Sequence, residues 1–91
     1  MSTIWLDRYE ILLNEELNTE MMKKVLGKPH GIVRKLRIDM VAKFNLEGIR
    51  LADERLIPTE LFLREINRTM KYYENKMNQE AILNKYKRSS K

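Results

Sequence analysis

Seven cations fall within the 21 residues from Lys23 to Lys43: Lys23, Lys24, Lys28, Arg34, Lys35, Arg37 and Lys43, with Asp39 the sole acid among them. The stretch carries +6 (seven minus one), more than the +5 of the whole chain. The remainder is slightly acidic, so basic charge is concentrated here and in the closing Lys85-Tyr86-Lys87-Arg88-Ser89-Ser90-Lys91. Such density suits polyanionic partners: DNA, RNA or acidic protein surfaces. A helix laid in a major groove would offer Arg34, Lys35 and Arg37 to base edges and phosphates. Lys28 and His30, near the start of that helix, would reach the adjacent backbone, where helix N-termini already favour phosphate. Lys43 completes the candidate nucleic-acid-binding set, and double-stranded DNA is the expected partner. A charge run can equally be a solvated helix face. It is the coincidence of charge with a turn and an apolar spacing, described below, that points to DNA.

The other side chains capable of chemistry do not converge. The chain has no cysteine, so a disulfide framework and a thiolate zinc site are excluded. His30 is the only histidine and has no metal-ligating partners at useful spacing, so no metal is expected. Ser2, Ser89 and Ser90 sit in the termini. Glu15-Glu16 and Asp53-Glu54 are adjacent in sequence, and adjacent residues on a helix diverge by about 100°. There is no glycine-rich phosphate loop. Neither catalysis, a cofactor nor a small-molecule substrate is expected.

Ninety-one residues make one domain with a thin core, burying roughly 60–65% of the unfolded surface. Three glycines and two prolines among abundant Leu, Glu, Lys, Arg and Met favour helix over sheet. The expected fold is all-α, a small bundle of four or five helices with a long C-terminal helix, spanning residues 1–84 and followed by a fraying basic tail, 85–91. No apolar run approaches the roughly 18 residues needed to cross a bilayer. The N-terminus lacks a basic region ahead of its apolar residues, so no signal peptide and a cytoplasmic location are expected.

The first helix is expected from about Thr3 to Glu15, capped by Ser2 or Thr3. Trp5, Tyr9, Leu12 and Leu13 share one face and read as core anchors rather than as a base-stacking platform. Asn18 caps a short second helix, Thr19 to Leu26, with Leu17 and Met22 placed to form a hydrophobic staple. Gly27 ends it and Pro29 forbids continuation. The third helix runs from about Ile32 to Phe44, with Val33, Leu36, Met40 and Phe44 on one face and Asn45 as its stop. Residues 46–57 read as helix from their Ala, Leu, Glu and Arg. The alternative is a wing, with Gly48–Leu51 and Arg55–Ile57 as strands.

Short helix, glycine turn, second helix is the outline of a helix-turn-helix over residues 18–44. Met22, Leu26, Val33 and Leu36 fit its inward positions. Lys23 stands where a small residue is usual, and Lys28 follows the glycine where an apolar one is common. Leu26-Gly27-Lys28-Pro29-His30-Gly31-Ile32-Val33 resembles the Leu-Gly-Lys-x-His-x-x-Val core of phage regulatory proteins of the Rha type, over about 20 residues. The resemblance carries over Gly27, Lys28, His30 and Val33. It departs from the family at Arg37, where an aliphatic residue is usual. It implies a phage or mobile-element regulator of transcription with an N-terminal DNA-binding-like domain.

Pro58 breaks the chain, and Thr59 is placed to cap a single long final helix. Leu63, Ile66, Met70, Tyr73 and Met77 form a heptad-like seam on it, which stops at Glu80. The seam reads as this chain's own core, a homodimer contact or a surface for another protein. A small inhibitor or adaptor that captures a host protein is the alternative to a DNA-binding regulator.

Overall fold

The computed structural model of the chain describes residues 2–89. Met1, Ser90 and Lys91, the ends of the expected N-terminal segment and basic tail, lie outside the described residues. The elements are α1 (Ile4–Ile11), β1 (Glu16–Leu17), α2 (Thr19–Leu26), α3 (His30–Leu46), β2 (Ile57–Pro58), α4 (Thr59–Glu65) and α5 (Met70–Ser89). Among the described residues the chain is thus five helices and one small sheet. That sheet is antiparallel, with Glu16 opposite Pro58 and Leu17 opposite Ile57. Helix α1 packs on α5 and α2, and α2 packs on α3.

α2 has the bounds its local signals dictate. The Asn18 side chain accepts a hydrogen bond from the Met21 N–H at 2.9 Å, and Leu17 and Met22 on either side of this cap are both fully buried. Gly27 closes the helix at φ 63°, with its N–H donating to the Lys23 carbonyl. A Cβ at Gly27 would stand 2.7 Å from Arg8 Nη2, the flexible end of a side chain whose guanidinium also stacks 4.6 Å from the Trp5 ring. Gly27→Ala is therefore expected to cost about 1–2 kcal/mol, mostly from the left-handed backbone. Urea denaturation of the two proteins measures it.

α1 is shorter than expected. Residues 12–15 leave the helix to bring Glu16 and Leu17 beside β2, and the Asn14 side chain donates back to the Ile11 carbonyl at 2.9 Å. Leu12 is buried but Leu13 is 62% exposed, so the expected four-residue face loses one member. α3 is longer than expected at both ends and passes through Asn45. It stops where Gly48, at φ 82°, lets the Ile49 N–H reach the Phe44 carbonyl at 2.8 Å.

The expected helix over 46–57 does not form. After α3 the chain makes an irregular excursion of turns and bends through residues 47–56. Nor does this excursion contain two paired strands. The strand comes only after it, at Ile57–Pro58, and its partner is β1. The Thr59 N–H extends the clip by donating to the Glu15 carbonyl at 2.8 Å. The Thr59 hydroxyl donates to the Asn14 carbonyl instead of capping α4, where Pro58 occupies the cap position.

The expected single final helix is two. α4 ends with Asn67 at φ 55°, where the Asn67 N–H donates to the Arg64 carbonyl and the Arg68 N–H to the Leu63 carbonyl. Thr69 Oγ1 then accepts from the Tyr72 N–H and starts α5. α5 continues through residues 85–89, so that part of the expected tail is helix.

The core gathers Leu12, Leu17, Met22, Val25, Val33, Met40, Val41, Phe44, Ile57, Phe62, Leu63 and Tyr73. Trp5 and Tyr9 pack against it, Trp5 with its ring 6.1 Å from Tyr72 and 6.0 Å from Tyr73. Arg8 and Lys76 both lie over the Trp5 ring, which is thereby built into the α1–α5 contact.

Candidate nucleic-acid interface

The turn between α2 and α3 presents Lys28 at the surface, and Pro29 at the cap of α3 aims the helix away from it. From there the buried stripe Val33, Met40, Val41 and Phe44 dictates which side chains face water. Gly31, Arg34, Lys35, Ile38 and Ala42 are exposed, and Leu36 and Arg37 lie on the flanks. Leu26, expected to face inward, is only partly buried, and Val25 takes its place in the core.

The six candidate side chains divide by what they touch. Lys28, Arg34 and Lys35 are exposed and make no ion pair or hydrogen bond among the described residues. His30 Nδ1 lies 3.5 Å from the Glu20 carboxylate, which Lys23 approaches equally closely. Arg37 turns inward: Nη1 donates to the Glu54 carbonyl at 2.9 Å, while its Nε is buried without a hydrogen-bond partner. Lys43 lies at the far end of α3, with Nζ 3.1 Å from the half-buried Glu65 carboxylate. Arg37 and Lys43 are therefore not on the ridge with Arg34 and Lys35. Arg37 stands four residues from both Val33 and Val41, on the edge of the buried stripe. That spacing is legible in the sequence, beneath the basic run that Arg37 shares with Arg34 and Lys35.

The excursion of residues 47–56 lies beside this ridge, held there by the Arg37–Glu54 contact. It adds Arg50, exposed, and Arg55, whose N–H and guanidinium both bind Asp53. Arg55's backbone N–H and its side chain together hold the Asp53 carboxyl below its ordinary value. A shallow depression between the start of α2 and the first turns of α3 is lined by Asn18, Glu20, His30, Arg34, Arg37 and Arg55.

The expected seam is not continuous. Leu63 belongs to α4, Ile66 to the break, and Met70, Tyr73 and Met77 to α5. Leu63 and Tyr73 are buried in this chain's own core, and Ile66 and Met70 pack against it. Glu80, where the pattern ended, is itself buried, and its carboxylate accepts from the Trp5 and Leu6 N–H groups and from Ser2 Oγ. Sequence reasoning missed it because its partners are over 70 residues away. The apolar side chains left open on α5 are Ile82, Leu83 and Tyr86, all more than half exposed.

Among the described residues no three His, Cys, Asp or Glu side chains group to hold a metal ion, and no helix is long and apolar enough to cross a membrane. No protein-family model, curated protein or solved structure matches the chain.

Proposed function

We propose that this chain is a DNA-binding regulator of helix-turn-helix type, phage or mobile-element encoded, with α3 as the recognition helix and residues 47–56 as a wing-like arm. The observation that carries the assignment is the ridge at the start of α3. Lys28, Arg34 and Lys35 are open to a polyanion there, immediately after the Gly27 turn. The element order helix, strand, helix, turn, helix, arm, strand supports it, because the β1–β2 clip anchors the end of the arm and Arg37 ties the Glu54 carbonyl of the arm to the flank of α3. The short resemblance to the Rha-type regulators concerns the same turn.

Lys28 in the turn, Arg34 and Lys35 on α3 and Arg50 on the arm can engage about four phosphates, so the logarithm of affinity for random duplex should fall against log salt with a slope near −3.6. Fluorescence anisotropy between about 50 and 200 mM salt reads it. Replacing Lys28, Arg34 and Lys35 together by alanine should flatten the slope by about three. These side chains are exposed, so each change should alter stability by no more than about 0.5 kcal/mol. Unchanged duplex affinity in that variant would defeat the assignment. Arg37 is left out of the set because it holds the Glu54 carbonyl.

A second function has its own observation in Ile82, Leu83 and Tyr86, an exposed apolar group on the last turns of α5. A small inhibitor or adaptor would seat a host protein there. A single stoichiometric partner that survives nuclease treatment and is lost in Tyr86→Ser would favour it.

A further inference from the structure

We propose that the outer ridge of α3 reads the C5-methyl groups of thymine in the major groove, with Ile38 and Ala42 as the contacting side chains. This rests on the DNA-binding assignment and names what that surface recognises.

Gly31, Lys35, Ile38 and Ala42 are spaced by four, three and four residues, so they form one line along the helix. All four are exposed, and the line lies opposite the buried Val33 and Met40. At Gly31 a Cβ would meet nothing within 4 Å. No side chain there holds an approaching base edge away from the helix. Ile38 is 50% exposed with no apolar neighbour needing it for the core, and Ile32 on the flank and Leu46, one turn beyond Ala42, are 58% and 89% exposed.

The chemistry of the ridge limits what it can read. Between Gly31 and Ala42 the one side chain bearing an acceptor is Asp39, exposed beside the line rather than on it. Adenine is read by a donor–acceptor amide and cytosine by an acceptor, and none of Gly31, Lys35, Ile38 and Ala42 supplies either. Lys35 and Arg34 offer donors alone, suited to guanine O6 and N7 or thymine O4. The one base feature that an aliphatic side chain recognises is the thymine methyl, the only apolar group on the major-groove edge. Exposed aliphatics flanked by unpaired cations fit a surface that is anionic overall and apolar at points, as that groove is.

The test compares duplexes of alternating adenine and thymine with the same duplex carrying uracil, which differs only by the C5 methyl. A duplex of alternating guanine and cytosine, with and without 5-methylcytosine, places a methyl at the same edge. The protein should bind the methylated member of each pair about fourfold more tightly per buried methyl. Ile38→Ser should remove that preference while keeping the salt slope and the circular dichroism of the parent. Equal affinity for thymine and uracil duplexes, with the salt slope intact, would overturn methyl reading and leave the DNA-binding assignment standing. If no duplex binds and Ile38→Ser instead weakens capture of an acidic amphipathic helical peptide, the ridge is a protein-docking surface and both fail.

Discussion

Replacing Glu80 by alanine is expected to destabilise the fold by about 1–3 kcal/mol, because it removes a buried carboxylate and leaves the N–H of half-buried Trp5, with the Leu6 N–H and the Ser2 hydroxyl, without its partner. α1 is eight residues long, too short to persist alone. Its own candidate cap does not serve it through its side chain, since the Thr3 hydroxyl accepts no hydrogen bond from the helix and donates to the Asp7 carboxylate at 3.4 Å. The first N–H groups of α1 are satisfied from outside, by a carboxylate nearly nine-tenths of the way along the chain. Trp5 N lies 3.1 Å and Leu6 N 3.3 Å from Glu80 oxygens, with Ser2 Oγ at 2.9 Å. The negative charge also faces the positive end of the helix dipole. Nearby, the Asn84 side chain donates to the Ser2 carbonyl and adds to the same clasp.

Titration gives this contact a signature. Burial pushes the Glu80 carboxyl up, but hydrogen bonds from Trp5, Ser2, Leu6 and Ile4 outweigh it and hold the group below its ordinary value of 4.5. A carboxyl lowered in the folded state contributes its stability fully above the unfolded value and loses it as pH falls through the folded one. The stability gap between the parent protein and Glu80→Gln should thus be whole at neutral pH and shrink as the pH drops below 4.5. Thermal unfolding at several pH values checks both results. A gap that does not change with pH would mean that the charge of Glu80 is not what caps α1.

Tyr73→Ala carries the largest expected loss, about 3–5 kcal/mol, as for any large aromatic removed from a packed core. Tyr73 is fully buried, edge-on to Tyr72 at 5.2 Å and tilted against Trp5. Its hydroxyl accepts from Arg68 Nη1 at 3.1 Å, a contact that raises the Arg68 guanidinium above its ordinary value. Tyr73→Phe keeps the ring and should cost only about 1–2 kcal/mol, chiefly from the unpaired guanidinium. A domain of this size has roughly 5–15 kcal/mol in all, so the alanine variant should be near the edge of folding. Since every contact of Tyr73 is within the chain, the unfolding midpoint of both variants should be independent of protein concentration. A midpoint that rises with concentration would return Tyr73 to a contact between copies.

α2 was legible in the sequence because its boundaries are local: a side-chain cap at Asn18, a left-handed glycine at Gly27 and a proline two residues on. The division of the last helix was also written locally, in Asn67 and Thr69. An unbroken heptad pattern from Leu63 to Met77 concealed it, for a pattern of apolar residues continues across a break when both pieces pack on one core. The 46–57 segment misled because helix propensity is a weak prior. Its course is decided by pairing with β1, about 40 residues away.

The candidate site divides in the same way. Composition and order alone determined that the chain is mostly helical, that a glycine turn separates two helices, and that positive charge clusters just after it. Periodicity placed Arg34 and Lys35 outward and Phe44 inward. Only the tertiary structure decided that Arg37 binds a carbonyl of the arm, that Lys43 is held to α4, that Tyr73 is core, and that Glu80 caps α1. The reason is physical. A cap or a turn is an equilibrium among neighbours in the chain, whereas the partner of a charge or of an unpaired N–H is whichever group packing happens to bring within 3 Å, and packing is settled by the whole core at once.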